Sequence, residues 1–153
     1  MVCIQYGTAK LLAERKIPLD SELLYQKTER VGKGILKGVE LIKKYNIKNL
    51  VFGTDLVGNK EVQAIQLKEF SALKEFYGSF EAIKMATGNA HELFKLCTYQ
   101  NPYPEGKVGV LEEGSFADLI IVEGNPVEDV EIITNTDNMK LIMKDGKVYK
   151  NTL

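Results

Sequence analysis

Val31, Ile35, Val39 and Ile42 recur every three or four residues, the spacing of one face of an α-helix. Lys33, Lys37, Glu40, Lys43 and Lys44 fall on the polar side, and Asp20 or Ser21 stands where a side-chain oxygen can cap the first turn. Gly32, Gly34 and Gly38 each cost such a helix about 1 kcal/mol relative to alanine, so they predict close packing or a break. Tyr45 and Asn46 end the pattern, and residues 48–52 predict a strand. Its Leu50, Val51 and Phe52 are consecutive rather than alternating, as in a strand covered on both faces. After a loop over 53–60, Val62, Ile65, Leu67, Phe70, Leu73 and Phe76 predict a helix over 61–77. Gly78 stops it and Ser79 is placed to cap a further helix over 80–96, with Glu81 near its positive end. Ala82, Ile83, Ala86, Ala90, Leu93 and Phe94 form the buried face of that helix.

From residue 98 the pattern changes. "TYQNPYPEGK" is a loop by its two prolines and glycine, and short strands are predicted over 108–111, 117–122, 140–143 and 147–150. The last two are joined by Asp145-Gly146, a strong hairpin signal. A strand between helices implies a parallel sheet, and the tail implies a separate β layer. The chain thus divides into residues 1–97 and 98–153.

Composition narrows the function. With 153 residues, 44% hydrophobic and 27% charged, the chain can bury a core as one globular unit. Its 20 basic and 21 acidic residues are spread along the chain, leaving neither a nucleic-acid stripe nor a charged tail. No apolar run approaches the ~18–20 residues of a membrane span, and residues 1–16 lack the order of a secretory signal. A cytoplasmic location is the default expectation. Cys3 and Cys97 are too few and too distant for a disulfide framework or a zinc knuckle, and read as ordinary thiols. His91, the only histidine, reads as a packed or surface helix residue without a second nitrogen ligand or an acid partner. "GTDLVGN" lacks the Gly-Lys-Ser/Thr of a phosphate loop, and "GNAHEL" lacks the spacing of a zinc protease.

Asp55 is set apart by its position. It follows the buried run at 50–52, where an unpartnered charge is costly. In parallel α/β folds chemistry gathers at the carboxyl ends of strands, and a carboxylate there can bind a metal or take a proton. Aspartate is equally common in turns, where it accepts amide hydrogen bonds from the loop. The residues alone leave both readings open.

Four segments bear on that choice: "LVFGTDLVG", "SFEAIKMATGNAHELFKL", "GVLEEGSFADLIIVEGNPVEDV" and "LIMKDGKVY". In this order they carry G-T-D, A-T-x-N-A, G-x-x-A-D-L, G-N-P and a terminal D-G-K. The set resembles the C-terminal end of a metal-dependent amidohydrolase, in the branch of imidazolonepropionase-like and Xaa-Pro dipeptidase-like enzymes. His91 departs from it, standing where the family often has a small residue.

The resemblance implies an α/β fold: the C-terminal part of a (β/α)8 amidohydrolase barrel, followed by strands of a small composite β-sandwich built from both chain termini. It makes Asp55 the end of the eighth strand, a ligand of a divalent metal (zinc by preference) and the general base toward water. Residues 1–9 become the remains of strand seven, and the helix over 80–96 the last barrel helix. A complete barrel takes about 250 residues, more than this whole chain of 153. The family's His-x-His, its strand-four lysine or glutamate and its later histidines have no counterparts here.

The expectation is therefore the C-terminal portion of a hydrolase of C–N bonds in amides or cyclic amides. Alone it should be inactive and hold no metal. Its partners would be a missing N-terminal barrel portion or a second copy, and its parent's substrate a small amide or peptide, with no nucleic acid or membrane involved. The alternative is a non-catalytic domain of the same origin, used for oligomerisation or ligand binding.

Overall fold

Ser21 begins the longest helix as expected. Its backbone is extended and its hydroxyl accepts from the Leu24 amide, satisfying one of the donors a helix start leaves free. In the computed structural model, which describes residues 2–4, 9–10, 13–16, 18–54, 60, 63 and 66–153, this helix (α1) is Glu22–Lys44. Glu22 in its first turn and Lys43 and Lys44 in its last complement the helix dipole. Val39 and Ile42 are buried, but Val31 is exposed; Gly32 takes its place on the inner face. A Cβ at Gly32 would lie 2.5 Å from the Ala9 carbonyl oxygen, so glycine there permits close approach of the preceding segment. Gly34 and Gly38 meet nothing, and none of the three breaks the helix.

Strand β2 (Leu50–Phe52) is shorter than the predicted 48–52. It pairs in parallel with β1 (Val2–Ile4), with Val2 opposite Leu50 and Ile4 opposite Phe52. Leu50 and Val51 are both buried although they point to opposite faces, which is why the run is continuously apolar. Lys60 and Gln63 are helical, then a 3-10 turn at Gln66–Lys68 leads into α2 (Glu69–Tyr77). Val62 and Ile65 of the predicted helix lie outside the described residues.

Two expectations about the next helix are corrected. Ser79 does not cap it. Gly78 is the N-cap residue, while the Ser79 hydroxyl donates to the Glu128 carbonyl at 3.2 Å and accepts from the Val130 amide at 3.1 Å. The predicted single helix over 80–96 is two, α3 (Ser79–Ala86) and α4 (Gly88–Leu96), broken at Thr87. There the threonine hydroxyl bonds back to the Ile83 carbonyl at 2.8 Å, and its carbonyl takes the Ala90 and His91 amides.

The predicted strand over 108–111 is absent as well. Gly109 has φ +70 and lies against the Thr87 backbone, so the segment bends into the helix break and makes a lone bridge, Lys107 to Ser115. Phe94, Tyr103 and Phe116 form a small aromatic cluster that ties this loop to α4, with centroids 5.3 and 5.6 Å apart.

The remaining strands are β3 (Leu119–Val122), β4 (Met139–Lys144) and β5 (Lys147–Asn151), antiparallel in that order. Asp145 and Gly146 have φ +50 and +72, as a two-residue type I′ turn requires. Between β3 and β4 the chain makes 3-10 turns at Val130–Thr134 and Thr136–Asn138, capped by Asp129 and Asn135. One core joins both parts of the chain: Val39, Ile42, Leu50, Phe70, Leu73, Ala82 and Met85 with Val130, Ile133 and Met139. Leu73, Met85 and Val130 are fully buried, each stabilising the fold by about 1.5–3 kcal/mol relative to exposure.

Candidate functional site

The end of β2 is the place to which the family resemblance assigns chemistry. Asp55 itself lies outside the described residues, so the structure presents its scaffold up to Gly53 and Thr54, both half-buried. That scaffold is held from two sides. Phe52 stacks on Phe70 of α2 with ring centroids 4.5 Å apart. From α4, the Asn89 side-chain amide donates to the Leu50 carbonyl at 2.7 Å.

The other motif residues are structural. Asp118 of G-x-x-A-D-L accepts the Asp145 amide at 2.6 Å and the Lys144 ammonium at 3.2 Å, while the neighbouring Ala117 carbonyl accepts the Gly146 amide at 3.1 Å. Two motifs separated in sequence thus form one staple across the hairpin turn. The Asp145 amide, and after it Lys144, holds the Asp118 carboxyl below its ordinary range; Asp118 in turn raises the Lys144 ammonium. In G-N-P, Asn125 accepts the Val127 amide with its side chain and the Glu128 and Asp129 amides with its carbonyl, forming a turn.

His91 is half-buried on α4. The carboxyls near it have their main partners elsewhere. Glu92 is lowered first by its hydrogen bond to Lys95, and Glu112 first by its hydrogen bond to Lys107, with His91 adding a smaller effect to each. Cys97 is a free thiol, and the side chain of Cys3 lies outside the described residues. Among the described residues no group of three or more His, Cys, Asp or Glu side chains is placed to hold a metal. The chain has one histidine, and Asp55, the single ligand that the resemblance assigns to it, lies outside the described residues. No described helix is long and apolar enough to cross a membrane.

A cleft of about 700 Å³ opens between α2 and α3 on one side and β3 and β4 on the other, lined by Phe70, Ile83, Ile120, Val122 and Ile142 among others. Of its polar lining, Thr87 is bonded to Ile83, and Asp118 and Lys144 to each other. These groups serve the fold.

The chain matches the profile of the amidohydrolase family over residues 1–149. No curated protein matches it. Among solved structures it is similar to an amidohydrolase, at 29% identity and a TM-score of 0.78 over 99% of this chain and 34% of that one. It is similar also to a prolidase complexed with N-methylphosphonate-L-proline (26%, TM-score 0.78, 99% and 35%) and to A. niger ochratoxinase (26%, 0.65, 95% and 31%). The chain therefore spans about a third of the length of the structures it matches. Matched by the family profile over nearly its whole length, this chain belongs to the amidohydrolase family.

Proposed function

We propose that these residues supply the C-terminal part of a metal-dependent hydrolase of C–N bonds, with β2 as the last strand of its (β/α)8 barrel and β3–β5 as part of a small composite sandwich. The observation that carries the reading is the position of G-T-D. It follows directly on a short, buried, parallel strand within a chain that matches the family over residues 1–149. At that strand end the Asp55 carboxylate would accept a proton from the attacking water and return it to the leaving nitrogen. A divalent metal, zinc by preference, would supply water acidified toward neutral pH and a polarised carbonyl.

Asp55 offers one ligand, whereas a catalytic zinc takes three from protein. The others would come from polypeptide beyond these residues, and alone the chain is inactive. Similarity to a prolidase bound to a proline phosphonate favours small amides or peptides as substrates.

The test joins this chain to the N-terminal two-thirds of a related amidohydrolase and screens amides and dipeptides with and without zinc. Zinc-dependent hydrolysis by the joined protein, background rates for the chain alone and a loss of orders of magnitude in Asp55→Asn support the reading. Unchanged turnover in a folded Asp55→Asn protein overturns it.

A second reading, an oligomerisation module, is favoured by the sheet edges. Among the described residues β3 and β5 each pair with one neighbour only, and Ile120, Ile121, Val148 and Tyr149 are exposed. We infer that copies of the chain associate through these edges.

A further inference from the structure

We draw no further inference here: the strongest candidate, the apolar cleft of about 700 Å³ between helices α2 and α3 and the β3–β4 face, is unpartnered and nothing in the structure shows what covers it.

Discussion

The side-chain amide of Asn89 donates to the main-chain carbonyl of Leu50 at 2.7 Å, across 39 residues of sequence. Leu50 is 4% exposed, so its carbonyl has little access to water. A buried acceptor without a donor costs about 1–3 kcal/mol. Asn89→Ala should destabilise the chain by that order, read as a lower urea midpoint at unchanged slope. Asn89→Asp should cost more, because it replaces the donor with a carboxylate facing the carbonyl. An unchanged midpoint in both variants would show that the bond contributes nothing.

Asp118 makes a pH prediction. Its folded pKa is lowered, by the Asp145 amide first and Lys144 second. A lowered carboxyl contributes stability above its unfolded pKa of about 3.9 and loses it as pH falls through the folded value. Asp118→Asn removes the charge while leaving an oxygen for the Asp145 amide. Wild type should therefore be the more stable at neutral pH, and the difference should close below about pH 4. Denaturant curves from pH 2 to 7 would read this, and a gap that stays constant into acid would refute it.

Turn chemistry separates two glycines. At Gly146 (φ +72) a Cβ would meet nothing within 4 Å, so substitution costs backbone strain alone. Gly146→Asn should be mild and Gly146→Val worse, beyond the roughly 1–2 kcal/mol of an ordinary left-handed residue. At Gly109 (φ +70) a Cβ would lie 2.5 Å from the Thr87 carbonyl carbon. Gly109→Ala adds a backbone clash to the strain and should exceed Gly146→Ala in thermal unfolding. Equal melting temperatures would mean that the loop at 109 yields freely.

These sites also mark what the sequence could express. Hydrophobic spacing located α1, β2 and the hairpin, because each depends on local patterns: a capped amphipathic run, a doubly buried strand and an Asp-Gly turn. It missed the break at Thr87 and the bend at Gly109, which pack against each other across 22 residues of sequence, a contact that local periodicity does not express. Periodicity also drew Val31 onto the buried face, where the close approach of Ala9 selects Gly32. The motif list was visible, but not that Asp118 and Asp145 bond each other, nor that Asn89 serves Leu50. Position and family pattern single out Asp55, which itself lies outside the described residues.

The exposed edges yield the last prediction. Ile120 on β3 is 48% exposed and lines the apolar cleft, and β3 pairs with β4 alone among the described residues. An open strand edge beside an apolar surface recruits another chain, and a charge placed there is the usual way such edges are kept apart. The wild-type chain should therefore self-associate with rising concentration in sedimentation equilibrium. Ile120→Lys should shift it toward the 17.2 kDa monomer. The long lysine stem can lie along the cleft while its ammonium reaches water, so melting of the dilute protein should change little. Wild type remaining a monomer at all concentrations, or the lysine variant associating as before, would exclude this edge as the contact.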